Sequence, residues 1–268
     1  MCATQKYHVH VLAKIKEEMR SMAFLTFRGG IHPYDGKDLS KNCPVEKYLP
    51  KGDLAILVSQ HIGAPAKPIV KKGDHVLAGQ KIAEAGGFVS APIHSSVSGT
   101  VKGIEKRLTA VGAMGDAIII ENDGLYESVE YTPAKLSDLS KEDILKRIQE
   151  GGVVGQGGAG FPTHVKLSPK EPDKIDHILV NGAECEPYIT SDYRRMMEEP
   201  ESVVGGLEVI LKAFPKAVGC ICIEDNKPDC IARMKEAIKG KERMEVKELK
   251  TKYPQGGERT LIYAVTGR

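Results

Sequence analysis

Ile178-Leu179-Val180-Asn181-Gly182-Ala183-Glu184-Cys185-Glu186-Pro187 is the stretch that decides the fold. Three apolar residues predict a strand, and polar residues follow directly at its carboxyl end. Beyond them, helix and strand patterns alternate, which predicts a parallel sheet packed against helices. The further elements are predicted at 201–214 (helix), 217–223 (strand), 230–239 (helix) and 244–249 (strand). Open α/β sheets place ligands just beyond the carboxyl ends of their strands, so the polar residues after Val180 are candidate ligand contacts.

The preceding half of the chain follows a different pattern. Residues 24–121 are rich in Gly and Pro, and short β-like runs are separated by turns such as Lys72-Gly73-Asp74. Strands are predicted at 54–58, 75–77, 81–83, 100–102 and 117–120. Few helical periods occur, so this half predicts a small all-β domain.

A helix opens the second half. Ser140 is a favourable N-cap, Glu142 and Asp143 occupy the first turn, and an apolar stripe starts at Ile144. We therefore predict a two-domain α+β protein, all-β over residues 22–125 and α/β over residues 136–268. Residues 1–21 are polar and charged and are predicted to be a tail, with a short docked helix at 15–19 as the alternative.

The composition excludes several classes of protein. The 268 residues carry 38 basic and 36 acidic side chains, and the net charge of +2 predicts no nucleic-acid partner. No stretch approaches the roughly 18–20 apolar residues that span a bilayer, and no secretory signal is visible. The six cysteines form no C-x-x-C pair, so we expect neither a disulfide framework nor a ferredoxin-type cluster in this chain. A reducing, cytoplasmic setting follows.

The segment Gly155-Gln156-Gly157-Gly158-Ala159-Gly160-Phe161-Pro162-Thr163-His164-Val165-Lys166 is the richest in possible chemistry. Its glycines allow left-handed dihedral angles that direct several N–H groups at one ligand, a geometry that suits phosphate. Lys166 would add a positive charge. A flexible loop is the alternative, because a helix precedes the segment where a dinucleotide fold has a strand.

Two further segments carry candidate ligand groups. Asn181 both donates and accepts hydrogen bonds, and Glu184 and Glu186 are acceptors suited to ribityl or ribose hydroxyls, with an acidic surface turn as the alternative. Cys185 has no identifiable base beside it and is predicted to be a small buried residue. The segment Tyr253-Pro254-Gln255-Gly256-Gly257-Glu258-Arg259-Thr260 is a glycine turn with an acid, followed by a helix that starts at Leu261-Ile262.

Together these three segments resemble a known family. In the same order, they are similar to the flavin-binding loop and the two later motifs of the NADH-oxidising subunit of respiratory complex I. The first half instead resembles the RnfC subunit of the Rnf electron-transport complex. This likeness covers residues 22–268 and is carried by the runs Phe27-Arg28-Gly29-Gly30-Ile31-His32-Pro33, Gln60-His61-Ile62-Gly63-Ala64-Pro65-Ala66 and Gly87-Phe88-Val89-Ser90-Ala91-Pro92-Ile93-His94.

The resemblance implies a fold, a set of cofactors and partners. The fold is a lipoyl/biotinyl-like β barrel-sandwich domain followed by a Rossmann-like domain that binds FMN and NADH. The function is NAD:ferredoxin electron transfer coupled to ion movement, as a peripheral subunit on the cytoplasmic face of a bacterial membrane. The partners are the other Rnf subunits, some of them integral to the membrane, and ferredoxin. The [4Fe-4S] clusters of the family belong to a cysteine-rich part that this chain lacks, so we expect it to be a fragment.

The resemblance also implies site residues. By matching motif positions, FMN contacts Gly155, Gly157, Gly158, Lys166, Asn181, Glu184, Cys185 and Glu258. Phe161 and Glu186 face the nicotinamide nucleotide, and no metal ligand is implied. Five positions depart from the motifs: Gln156 replaces Arg, Leu167 replaces Trp, Ala183 replaces Asp, Cys185 replaces Ser and Gly257 replaces an acid. The loss of two acids weakens the expected contacts to flavin or nucleotide.

Alternatives to this function follow from the departures and from the β domain. One is a non-catalytic docking subunit with a degenerate nucleotide site, and another is a related soluble flavoprotein such as a corrin reductase. The β domain resembles lipoyl and biotinyl carriers, but residues 86–98 contain no Lys, so no lipoylation or biotinylation is expected. His32, His61 and His94 are predicted to be structural.

Overall fold

The computed structural model describes residues 25–156 and 158–268. The predicted tail at 1–21, the alternative helix at 15–19 and Gly157 lie outside the described residues. The described chain falls into two compact units. One unit is Lys47–Pro172, and the other combines residues 25–46 with Asp173–Arg268.

The first unit, called the β unit below, is built from two antiparallel sheets. Its strands are β1 (Leu54–Leu57), β2 (Lys67–Pro68), β3 (His75–Val76), β4 (Lys81–Glu84), β5 (Ile93–His94), β6 (Gly99–Leu108) and β7 (Met114–Asn122). One sheet has the order β1-β7-β6-β3 and the other β2-β4-β5. Both contribute to one apolar core that includes Val76, Ile82 and Ile120. The prediction of an all-β first half is confirmed.

The β6–β7 hairpin is longer than the sequence predicts. Its outer half carries charged pairs such as Lys106 and Asp116, whose side chains lie 2.9 Å apart. Both faces of that part of the hairpin meet solvent, so its residues lack the apolar alternation that identifies a strand in a sequence. The two-residue strands β2 and β5 were not predicted.

Two helices complete the β unit, α1 (Lys141–Glu150) and α2 (Thr163–Lys166). The predicted N-cap of α1 is confirmed: Ser140 Oγ accepts from the Asp143 amide at 3.1 Å, and Asp143 Oδ2 accepts from the Ser140 amide at 3.0 Å. This reciprocal capping box satisfies two otherwise unpaired donors. Ile144 begins the apolar stripe and is buried.

The second unit, called the α/β unit, contains a three-stranded parallel sheet of order β10-β9-β8. Its elements are β8 (His177–Gly182), α3 (Ser191–Glu198), α4 (Pro200–Ala213), β9 (Val218–Glu224), α5 (Pro228–Ala237), β10 (Met244–Leu249) and α6 (Glu258–Thr266). Cys220, Cys222, Leu249 and Leu261 share one buried cluster. Parallel pairing confirms the predicted α/β fold, and the largely polar helix α3 was not predicted. Among the described residues, no helix is long and apolar enough to cross a membrane.

Residues 25–46, called the N-terminal strap below, pack on the α/β unit. Leu25 forms a parallel bridge with Leu249, and Ile31 exchanges two backbone hydrogen bonds of 2.9 Å with Tyr253. The compact units thus divide the chain differently from the domains predicted at 22–125 and 136–268. A change of sequence pattern marks where elements change type, but it does not determine where a segment outside both sheets packs.

Substitution of Ile118 tests whether this side chain lies in the apolar core of the β unit. It is fully buried, whereas its cross-strand partner Ile104 is 48% exposed. Ile118→Ala should lower the free energy of unfolding by about 3 kcal/mol, because buried methyl groups are lost and a cavity remains. The control Ile104→Ala should lower it by less than about 1 kcal/mol. Urea unfolding followed by circular dichroism measures both values, and equal losses would contradict this core.

Candidate functional site

Parallel pairing brings the carboxyl ends of β8, β9 and β10 to one edge of the sheet. Three polar segments therefore lie at this edge: residues 181–187 from the end of β8, residues 224–227 from the end of β9 and residues 251–257 beyond β10. The first and third contain two of the three motifs found in the sequence. Such an edge is where α/β sheets place ligands.

The first and third turns contact each other directly. The Asn181 side-chain amide donates to the Gly256 carbonyl at 2.8 Å, and the Gly256 amide donates to Cys185 Sγ at 3.2 Å. The backbone of Gly256 is so close to the first turn that a Cβ at this position would lie 2.3 Å from the Ala183 carbonyl oxygen. The glycine is therefore required by this approach. Two motifs that lie some seventy residues apart in the sequence form one surface.

Cys185 behaves as an acceptor in this contact. Its side chain is half-buried, and burial raises the pKa of its thiol. A thiol kept protonated is a weak nucleophile, which agrees with the prediction of a small structural residue.

Glu184 is buried, with 5% of its surface exposed, and its carboxylate faces the first turn of α3. It accepts from the backbone amides of Asp192 at 2.8 Å and Tyr193 at 3.3 Å, and from Ser191 Oγ at 3.3 Å. A carboxylate at this end of a helix also interacts favourably with the helix dipole. Burial raises the pKa of Glu184, and the amide bonds offset part of that rise. The structure therefore places Glu184 beneath the loop, while Asn181 and Glu186 are exposed.

The turn after β9 was not predicted as part of the site. Glu224 is fully buried, its Oε1 accepts from the Lys252 amide at 3.2 Å, and its Oε2 accepts from Lys227 Nζ at 3.3 Å. The ion pair lies within the turn after β9, and the hydrogen bond from the Lys252 amide joins that turn to the one after β10. The signal that could have found it is the polar run Glu224-Asp225-Asn226-Lys227, which follows an apolar strand as residues 181–187 do.

The glycine-rich loop belongs to the β unit. It is closed by a 2.9 Å hydrogen bond from the Gly155 amide to the Phe161 carbonyl, and the Ile62 amide donates to the Ala159 carbonyl at 2.9 Å. Gly160 has φ +61°, and a Cβ there would lie 2.9 Å from the Gln60 carbonyl oxygen. The run 60–66, which carries part of the family resemblance, thus supports this loop.

The outer part of the loop is open. Gly158 has φ +70°, and an added Cβ would meet nothing within 4 Å. Phe161 is 39% exposed, and Lys166, the last residue of α2, is exposed. Left-handed backbone, an accessible ring and an exposed ammonium group fit the phosphate and aromatic parts of a flavin nucleotide. The α/β unit by itself exposes the side chains of Asn181, Glu186 and Glu258, which are donors and acceptors suited to hydroxyl and amide groups.

A cavity of about 450 Å³ lies in the α/β unit beside the turn after β9. It has both basic and acidic walls, and none of its residues was predicted as a site. Its lining residues are Asp35, Lys37, Asp38, Lys41, Asn42, Thr190, Tyr193, Asn226, Lys227, Pro228 and Asp229.

Comparison with known families assigns both halves of the chain. The family model "RnfC Barrel sandwich hybrid domain" matches residues 25–125. The family model "Nuo51 FMN-binding domain" matches residues 148–268. Both agree with the fold class predicted from the sequence.

Curated relatives match most of this chain. The C subunit of the proton-translocating ferredoxin:NAD(+) oxidoreductase complex of Clostridium ljungdahlii is 46% identical over 91% of this chain and 53% of its own length. The C subunit of the Na(+)-translocating ferredoxin:NAD(+) oxidoreductase complex of Acetobacterium woodii is 45% identical over 91% of this chain and 55% of its own length. The chain therefore spans about half the length of these relatives. Among solved structures, an NAD+-reducing [NiFe]-hydrogenase in the H2-reduced state covers 50% of this chain and 26% of its own, with 21% identity and a TM-score of 0.41.

Substitution of Gly256 tests the contact between residues 181–187 and residues 251–257. Gly256→Ala should destabilise the protein by about 2 kcal/mol, because the new methyl group must push the Ala183 carbonyl away. Gly205→Ala in α4 is the matched control, since its added Cβ meets nothing within 4 Å, and it should be neutral or stabilising by up to about 1 kcal/mol. Denaturant unfolding compares the two, and equal stability would refute the close approach.

Substitution of Glu184 tests the effect of its buried carboxylate on the pH dependence of stability. Its folded-state pKa is raised above the ordinary value of 4.5, so its stability contribution is complete below that value and is lost as the pH rises through the raised pKa. Glu184→Gln should remove this component of the pH dependence of unfolding, whereas the exposed control Glu186→Gln should retain it. Unfolding free energies between about pH 4 and pH 7 measure the difference. Identical profiles for wild type and Glu184→Gln would contradict it.

Proposed function

Since the chain belongs to the family of RnfC subunits, we propose that it binds FMN and transfers electrons between NADH and this flavin. The proposal extends to the larger complex: a peripheral subunit on the cytoplasmic face of the bacterial cell membrane, acting with integral membrane subunits and ferredoxin. The relatives' names support the complex and the ferredoxin partner. The [4Fe-4S] clusters that pass the electrons on are proposed to be held by other cysteine-rich segments of the complex.

One observation carries the proposal. Asn181 and Gly256, which belong to two separate flavin-type motifs, meet through a 2.8 Å hydrogen bond at the carboxyl edge of a parallel sheet. Their meeting at the position where such sheets bind ligands supports a nucleotide site there.

The residues have different proposed roles. The FMN phosphate is proposed to lie against the glycine-rich loop at Gly155, Gly157 and Gly158 and beside Lys166, whose ammonium would neutralise its charge. By the family resemblance, Asn181, Cys185 and Glu258 are also proposed to contact the flavin. Glu184, predicted as a contact, is proposed to act indirectly by fixing this loop to α3.

The nicotinamide nucleotide is proposed to contact Phe161 and Glu186. Both are exposed, so both are accessible to a ligand that enters from solvent. The exposed Phe161 ring offers a stacking surface, and the Glu186 carboxylate accepts hydrogen bonds from ribose hydroxyls. When bound, the flavin supplies the chemistry that links a two-electron donor to one-electron acceptors.

A docking subunit with a degenerate nucleotide site is the second candidate function. Two observations favour it: Ala183 and Gly257 replace acids of the motifs, and Gln156 replaces a basic residue. Flavin binding separates the two candidates.

An FMN titration, followed by flavin fluorescence and absorbance, tests the proposal. Wild type should bind FMN, and NADH should then bleach the flavin absorbance. Lys166→Ala should weaken binding by at least about tenfold, because a charge-assisted contact to phosphate is lost. Lys170→Ala, which changes another exposed lysine of the same unit, should bind as wild type does.

Absence of FMN binding by a folded wild-type chain would refute the flavin role and favour docking. Glu184→Ala provides a second comparison. It should weaken FMN binding only as far as it loosens the loop, and it should also lower stability, unlike Lys166→Ala.

A further inference from the structure

Lys37 is a buried lysine that belongs to no sequence motif. It lies in the N-terminal strap, only 6% of its surface is exposed, and its ammonium group donates to the carbonyls of Glu186 at 3.0 Å and Ile189 at 2.6 Å. Both carbonyls belong to the end of the first flavin-type motif and the loop that follows it. A single side chain thus ties the two ends of residues 186–189 to one point.

The same loop holds a strained residue. Tyr188 has φ +66°, a conformation that bulky L-residues rarely adopt. Strain of this kind persists only where the surroundings enforce it, and it concentrates at functional sites. The strap enforces it: the Tyr188 amide donates to the Asp35 carbonyl at 2.6 Å, and the Tyr188 ring occupies the space where a Cβ of Gly36 would be, 2.3 Å from the ring.

Ring packing between strap and loop occurs at Tyr188, whose ring meets that of Tyr34 edge to face with the centroids 6.3 Å apart. Lys37 and Thr190 line the 450 Å³ cavity, so the loop has empty space and polar groups on that side. Ser40 Oγ and Thr190 Oγ1 add one hydrogen bond of 2.8 Å between strap and loop. The conformation of residues 186–189 therefore depends on contacts with the strap, and Lys37 makes two of the hydrogen bonds among them.

The presence of a buried lysine here is hard to explain by global stability. Burial lowers the pKa of its ammonium group, opposed by the nearby Glu184 carboxylate. A desolvated charge is often replaced by an apolar residue of similar size without loss of stability. A role in shaping the loop accounts for a lysine at this position.

We propose that Lys37 is a positioning residue that holds the Glu186–Ile189 loop in the conformation that accepts the nicotinamide nucleotide. The proposal rests on the proposed flavin function, in which Glu186 faces that nucleotide. Lys37 acts through the loop and does not contact the ligand.

Lys37→Met is the test, and Lys41→Met is the matched control, because Lys41 lies in the same strap and its ammonium pairs with Asp38 at the surface. With FMN bound, the KM for NADH in flavin reduction should rise at least about tenfold in Lys37→Met, with kcat within about twofold of wild type. Hydrogen exchange of the Tyr188 amide should accelerate by at least about tenfold. FMN affinity should stay within about twofold in both variants.

Gly36→Ala provides an independent variant should Lys37→Met not fold. Its methyl group displaces the Tyr188 ring, so it should produce the same rise in KM and the same faster exchange. An unchanged KM in Lys37→Met, with or without faster exchange, would overturn the role of Lys37 while leaving the flavin function intact. A wild-type chain that neither binds FMN nor is reduced by NADH would instead overturn the proposed function, and this role with it.

Discussion

Parallel pairing of β9 with both β8 and β10 is the constraint on which the candidate site depends. Because all three strands run in one direction, the residues that follow Gly182, Glu224 and Leu249 must leave the sheet at one edge. An antiparallel neighbour would send one of these turns to the opposite edge. The hydrogen bond between Asn181 and Gly256 is a direct result of this geometry.

The close packing of the three turns buries the charged side chains of Glu184, Glu224 and Lys227. Glu224 and Lys227 pair with each other at 3.3 Å, and Glu184 finds its donors at the start of α3. A buried ion pair adds little net stability, but removal of one partner leaves the other charge uncompensated. Such groups therefore impose one arrangement of the turns, since each alternative would leave a charge without its hydrogen bonds.

The sequence predicted the elements of this protein better than their association. Apolar runs located β1, β7 and β9, and Ser140 located the start of α1, because periodicity and capping are local properties. Lys37 could not be found in this way: it is an ordinary charged residue in a segment without periodic pattern, and its partners are 149 and 152 residues away. The supporting role of Glu184 was hidden for the same reason, since residue type alone does not distinguish a ligand contact from a helix cap.

The two lost acids are accommodated by the packing around them. Ala183 lies in the buried cluster with Cys222 and Leu261, where an ionised carboxylate would be desolvated without a partner. At Gly257, a Cβ would lie 2.8 Å from Thr260 Oγ1, which is already hydrogen-bonded to the carbonyls of Pro254 and Gly257. If the acids had been replaced without adjustment of the neighbouring residues, cavities or unpaired polar groups would be expected at positions 183 and 257. Here the replacing residues take part in the same turn geometry that brings the two motifs together, so the absence of the two acids is matched by the packing of these turns.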